Sequence, residues 1–277
     1  MLGSVCAGII TYNPSRAKLY GLINAIRLQT EGIIVVDNAS SNKGEWLDGL
    51  LNDNRVFVIE NNENLGVASA LNQICDNALE KKMSWVITFD QDSMPCEQMI
   101  KKMMTNVSEN VAAIGPIIRY VGNEEFCPKV EGKIEEKQWI ITSGCLTNLD
   151  IWKRVGGFDE KLFIDGVDYD YCIRAGKIGK ILLDRSVFIQ HELGALQCRR
   201  LFNRTIYVTN HTPERKYYLI RNAYYLDHKL GTHKANKELI KNVIKTFLFE
   251  GEKKEKMKKM FIGLNDEKKM RGKHDNR

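Results

Sequence analysis

The sequence predicts an α/β protein built on a parallel, doubly wound sheet, and three observations predict it. Short apolar runs alternate with segments of helical period through the first half of the chain. Each run closes in polar turn residues. No run approaches the roughly 18 apolar residues that a membrane-spanning helix needs.

The elements follow in order. Ser4 to Thr11 is a short β-rich run, and Asn13-Pro14-Ser15 supplies a turn and a helix start. Leu19, Leu22, Ile23 and Ile26 come next at helical spacing, and Gly32 is expected to break that helix. Ile33-Ile34-Val35-Val36 is a continuous apolar run, as in a central parallel strand, closed by Asp37-Asn38-Ala39-Ser40-Ser41. Val56 to Ile59 reads as a third strand and Val67 to Leu79 as a helix. Trp85 to Phe89 is a fourth strand, ending in Asp90-Gln91-Asp92. Strands and helices alternating in this way imply parallel pairing with right-handed crossovers. Beyond residue 110 the pattern is mixed, with short strands expected at Ala112–Ile118, Trp139–Thr142, Ile181–Leu183 and Ser186–Gln190. From Pro213 onward the signals are helical.

Composition sets the limits. At 277 residues, 43% hydrophobic and 27% charged, the chain can bury one large core with a modest appendage. Seven cysteines, an odd number with no Cys-x-x-Cys pair, read as reduced core thiols. The apolar N-terminus lacks a basic leader region and turns polar at Asn13, so it reads as a buried first strand and the protein as cytoplasmic. The net charge of +6 is uneven: Lys229 to Arg277 carry 15 Lys and Arg against 7 Asp and Glu. The rest of the chain is slightly acidic, which argues against nucleic acid as a partner.

In open α/β sheets ligands bind beyond the carboxyl ends of the strands. Three such ends carry polar groups: Thr11-Tyr12-Asn13, Asp37, and Asp90-Gln91-Asp92. An Asp after the second strand can accept hydrogen bonds from a base or a ribose, although Asp is also a common turn residue. Alternation along an extended segment would put the Asp90 and Asp92 carboxylates on one side. Two carboxylates with open positions suit Mg²⁺ or Mn²⁺ bridging to a diphosphate; two solvated loop acids is the competing reading. No Gly-x-Gly-x-x-Gly follows the first strand, which excludes a dinucleotide-dependent dehydrogenase.

GIITYNP, VVDNASS, ENLGVASALN, FDQDS, TSGCLTN, VGGFDEKLFIDGVDYDYCIRA and HELG occur in that order. Together they resemble family 2 glycosyltransferases, and FDQDS with FIDGVDYD resembles the rhamnosyltransferase branch. The match runs from about Cys6 to Asn222. It implies the GT-A fold, a Rossmann-like, doubly wound mixed sheet, with a C-terminal helical extension. Residues 1-205 would be the nucleotide-sugar-binding and catalytic domain, and 206-277 a basic amphipathic extension. Thr11, Tyr12 and Asp37 would hold base and ribose, with Asn64 and Gly66 close to the nucleotide. Asp90 would meet the ribose or metal-bound water, and Asp92 and His191 the metal. Asp168, in the second acidic cluster with Asp165 and Asp170, matches the catalytic base. A place in the first turn of a helix would favour its ionised form.

The resemblance thus implies an inverting transferase with one base and one divalent metal site. The donor would be a nucleotide-diphosphate sugar, dTDP-rhamnose or a UDP-sugar, and the acceptor a cell-surface polysaccharide or lipid-linked glycan. The family often has Arg where Leu71 stands; Arg221 is the candidate replacement cation on the diphosphate, with a solvated helix face as the alternative. A catalytically silent glycan-binding scaffold is the rival from another class. In the tail, Leu239, Ile240, Val243, Ile244, Phe247 and Leu248 form one apolar stripe. Met257, Met260, Phe261 and Leu264 form a second among Lys253, Lys254, Lys256, Lys258 and Lys259. A basic amphipathic helix of this kind lies on an anionic membrane, at the inner face of the cell membrane here, or packs on the body or in a homodimer.

Overall fold

The computed structural model describes residues 3–120, 128–191, 197–201, 204–208 and 210–272. The elements in order are β1 (Val5–Thr11), α1 (Arg16–Ile26), β2 (Ile33–Asp37), α2 (Leu47–Leu51), β3 (Val56–Glu60), α3 (Gly66–Glu80) and β4 (Trp85–Asp90). There follow β5 (Met94–Pro95), α4 (Met99–Met104), β6 (Val111–Tyr120), β7 (Ile134–Glu136), β8 (Cys145–Asn148), α5 (Leu149–Arg154), α6 (Val167–Ala175) and β9 (Lys180–His191). The last are β10 (Gln197–Leu201), β11 (Arg204–Val208), α7 (Pro213–Leu230), α8 (Ala235–Phe249) and α9 (Lys253–Gly272). They form two units: Met1–Phe163 with Val167–Glu192, and Ile164–Gly166 with Leu193–Arg277.

The first unit carries the mixed sheet, in the order β3-β2-β1-β4-β8-β6-β9-β5, with β7 paired to β9. The pairs among β1 to β4 are parallel, as the alternation of strand and helix predicts. β8 enters antiparallel between β4 and β6, making the sheet mixed. β1, β2 and most of β4 are buried on both faces, which is why they read as unbroken apolar runs. Leu19, Leu22, Ile23 and Ile26 of α1 pack into that core. Burying each is worth about 1.5–3 kcal/mol before entropic costs. Cys6, Cys75, Cys145 and Cys172 are free and buried, and burial pushes the Cys6 and Cys145 thiols up to about 12. Cys127, and the side chain of Cys198, lie outside the described residues.

Four expectations need correction. α1 ends at Ile26, not at Gly32, because the Gln29 and Thr30 side chains bond back to the Ala25 and Ile26 carbonyls. Residues 139–142 form a loop, not a strand: the Thr142 carbonyl is taken by the Thr88 hydroxyl and the Cys145 N–H, and the strand begins at Cys145. The two strands expected at Ile181–Leu183 and Ser186–Gln190 are one, β9, with an irregularity against β6. At that bulge the buried Asp184 accepts bonds from Ser186 N–H and hydroxyl and from Asn106.

The tail gives the fourth correction. In the second unit Lys256 and Met260 of α9 are buried, while Phe261 and Met257 are exposed, so α9 does not separate an apolar face from a basic one. A side chain at Gly263 would meet the Tyr217 carbonyl at 2.5 Å, so this glycine allows α9 to lie close against α7. Glu250 is gripped by Lys216 at 2.8 Å and Lys256 at 3.1 Å, all three buried. Burial alone would raise the Glu250 pKa, but the two lysines outweigh it and hold it below its ordinary value. α8 turns Thr246, Asn242 and Glu238 toward this polar interior and leaves Ile240, Ile244, Phe247 and Leu248 exposed.

Candidate active site

The carboxyl ends of β1, β2 and β4 lie side by side. Thr11 pairs with Asp37, and Ile10 with Asp90. Asp37 is fully buried: one oxygen accepts from the Thr11 and Ser40 hydroxyls, the other from the Ser40 N–H at 3.0 Å and Lys43 at 3.5 Å. Its lone pairs are therefore occupied from within. Lys43 also bonds Glu60 at 3.0 Å, and that bond above all raises its pKa. Tyr12 stands exposed beside this group.

Asp90 and Asp92 are not on one extended segment. β4 ends at Asp90, and the Ser93 N–H turns back to the Asp90 carbonyl at 3.1 Å, so alternation along a strand does not govern the pair. The turn is braced by residues the motif reading passed over. The Asp90 N–H donates to the Ser143 hydroxyl at 3.3 Å, and Ser143 and Ser93 share a hydroxyl bond at 2.7 Å. Gln91 clasps the Tyr12 backbone on both sides, at 2.8 and 3.3 Å. Its position between the two aspartates was the signal for this.

β5 then pairs antiparallel with β9, Met94 against Gln190. Residue 191 follows Gln190 and closes β9. The pairing thus brings together Met94 and Gln190, which are far apart in the sequence. The His191 side chain and Glu192-Leu193-Gly194 lie outside the described residues. Among the described residues no three His, Cys, Asp or Glu side chains form a ready metal cage. Two carboxylates at an open strand end still suit a hard divalent cation whose other ligands come from a substrate diphosphate and water.

Asn64 accepts the Gly66 N–H at 3.0 Å at the start of α3, and the Gly66 carbonyl accepts from Asn38, which follows Asp37. Gly66 has φ +85°, and a side chain there would lie 2.6 Å from Phe163. The Val67 N–H reaches the Phe163 carbonyl at 2.6 Å, tying the start of α3 to the segment before α6.

The aspartates of the second acidic cluster are held as follows. Asp170 is buried and bonded to Arg174, which also holds the Val155 and Gly157 carbonyls. Asp165 is bonded to Arg215. Asp168, in the first turn of α6, accepts its neighbour Tyr169's N–H at 2.8 Å. Leu71 is core, so no cation is available at its place. In the second unit Arg221 is 9% exposed, forked onto Asn222 and stacked on Tyr217 and Tyr218, which rules out a solvated face.

Solved structures share this architecture. GalNAc-T7 with UDP, GalNAc and Mn²⁺ superposes with a TM-score of 0.62 at 13% identity, covering 82% of this chain and 48% of that one, so this chain spans about half its length. The mannosyltransferase PcManGT from Pyrobaculum calidifontis, in complex with GDP-Man and Mn²⁺, gives 0.59 at 15% identity, covering 86% and 67%. The fold is therefore of the GT-A class. The chain belongs to glycosyl transferase family 2, whose model matches residues 6–172. It is similar to the dTDP-rhamnosyl transferase RfbF of Shigella flexneri, 29% identical over 279 residues, covering 94% of this chain and 93% of that protein.

Proposed function

We propose that this chain is an inverting transferase moving L-rhamnose from dTDP-rhamnose to a hydroxyl of a cell-surface polysaccharide or lipid-linked glycan. The donor assignment is supported by the similarity to RfbF along nearly the whole chain. The observation that supports the mechanism is the place of Asp168 in the first turn of α6, where the helix N-terminus favours an ionised carboxylate. Asp168 takes the proton of the acceptor hydroxyl as its oxygen bonds to the anomeric carbon. The bond from that carbon to the diphosphate oxygen breaks on the opposite face, and the electron pair leaves with the nucleotide. Thr11, Tyr12 and Asp37 shape the base and ribose site, with Asn64 and Gly66 at its side. Asp92 and His191 would hold Mg²⁺ or Mn²⁺, with Asp90 meeting the ribose or metal-bound water, and the ion would supply Lewis-acid stabilisation to the departing diphosphate.

The test is Asp168→Asn, which keeps size and removes the proton acceptor. Transfer should fall about 10²- to 10⁴-fold with dTDP-rhamnose binding unchanged. Near-normal turnover removes Asp168 from the role. A wild-type protein that binds donor and never transfers it would be the silent scaffold. The neighbour solved with UDP favours a second donor reading, a UDP-hexose. A thermal-shift comparison of dTDP-rhamnose, UDP-glucose and GDP-mannose with Mn²⁺ separates them, because the true donor stabilises most at equal concentration.

The same proposal includes contact with the inner face of the cell membrane. No helix among the described residues is long and apolar enough to cross a membrane. The contact is assigned to α8, whose exposed Ile240, Ile244, Phe247 and Leu248 lie among lysines, with Lys253 5.6 Å above the Phe247 ring. An anionic lipid surface complements that rim, whereas a second copy would bring like charges together.

A further inference from the structure

We propose that Trp139 and Tyr169 form an aromatic platform for a pyranose ring of the acceptor, an inference that rests on Asp168 as the base. Trp139 is 46% exposed, while Trp46, Trp85 and Trp152 are 1%, 5% and 6% exposed. Trp139 is thus the one indole of the four whose ring is open to a ligand. It is held in place on both sides. The next residue, Ile140, is buried against Gly115, where an added Cβ would meet it at 3.0 Å, and its carbonyl accepts the Cys172 thiol of α6 at 3.7 Å.

The indole meets the Tyr169 ring edge to face, centroids 6.2 Å apart and planes at 76°. Tyr169 is the residue after Asp168, whose carboxylate accepts its N–H. Four residues past Trp139, Ser143 braces the Asp90 turn. One short loop therefore runs from the base to the diphosphate end of the site, and an exposed aromatic corner stands at the base end of it.

A pyranose carries axial C–H groups on one face and hydroxyls around its rim. The C–H face lies on an aromatic ring, while the rim hydroxyls stay in water or reach polar groups. Two rings near a right angle give such a sugar a floor and a wall. A nucleobase is assigned instead to the Tyr12 end, beyond β1 and β2.

Acrylamide quenching of intrinsic fluorescence tests this on the full chain, because Trp139 is the accessible indole of the four. The probes are the methyl glycosides of L-rhamnose, D-glucose, D-galactose and N-acetylglucosamine, from about 1 to 100 mM. At least one should protect Trp139 saturably, and Trp139→Phe should abolish the quenchable signal. In Tyr169→Ala the half-saturating concentration should rise about fivefold, with recovery in Tyr169→Phe, which keeps the ring. Protection by none of the glycosides overturns the proposal, as does protection by dTDP or UDP alone. Transfer assays of the wild-type protein and Asp168→Asn separate the two readings: a wild-type protein that never transfers sugar yet is protected by a glycoside keeps the platform and loses the transferase reading. A protein whose transfer depends on Asp168 without protection does the reverse.

Discussion

Gln91 and Tyr12 exchange two hydrogen bonds, Tyr12 N–H to Gln91 Oε1 at 2.8 Å and Gln91 Nε2 to the Tyr12 carbonyl at 3.3 Å. The side chain between the two candidate metal-side carboxylates thus fixes the backbone that presents Tyr12. Gln91→Ala removes both bonds, each worth about 1 kcal/mol net and less where water competes. The Kd for dTDP in calorimetry should rise about three- to tenfold with little change in Tm. Unchanged affinity would mean that this clasp does not shape the nucleotide site.

Gly66 is under two constraints, a positive φ and the Phe163 ring. Gly66→Ala should lower unfolding free energy by about 1–3 kcal/mol in denaturant titration. Gly156 has φ +79° with open space around it, so Gly156→Ala meets only the backbone cost, about 1–2 kcal/mol. Equal losses in the two variants would show that the Phe163 contact yields to a methyl group.

Metal dependence is tested by removal. EDTA should abolish transfer, and Asp92→Ala and His191→Ala should each raise the Mn²⁺ concentration for half-maximal rate by about tenfold or more. Transfer that ignores chelation would overturn the metal-dependent reading.

His211 gives a pH signature. Burial first, then Arg215, lowers its pKa to about 4. In the unfolded chain it titrates near 6.5, so the unfolded state takes up the proton first as pH falls. Its contribution is intact above about pH 6.5 and is lost progressively down to about pH 4. His211→Gln should therefore flatten the fall of Tm across that window, and an unaltered profile would refute the assignment.

The α8 face predicts lipid binding that salt weakens. Full-length protein should sediment with anionic liposomes at low ionic strength, since each nearby lysine contributes about 1 kcal/mol, and be released by salt. Ile244→Ser with Phe247→Ser should abolish sedimentation while Tm stays level, both side chains being exposed. Binding that survives the double substitution moves the contact elsewhere, and a shift from dimer to monomer would make α8 a subunit interface.

The parallel half of the sheet was legible in the sequence because strands buried on both faces must be apolar throughout, and Ile33 to Val36 and Trp85 to Phe89 have no other reading. The motif order carried the family. The candidate site was legible only as residue types: Asp90, Asp92 and Asp168 are marked by their neighbours in the chain. What the sequence left open was decided by contacts between residues far apart in it. The pairing of β5 with β9 sets Met94 against Gln190, and Asp165 and Asp170 are held by Arg215 and Arg174. The tail's apolar periodicity was visible, but not its direction. The buried Lys216–Glu250–Lys256 group turns the polar side of α8 inward, because charges taken from water must be paired, and a lone helix pattern cannot reveal its partners.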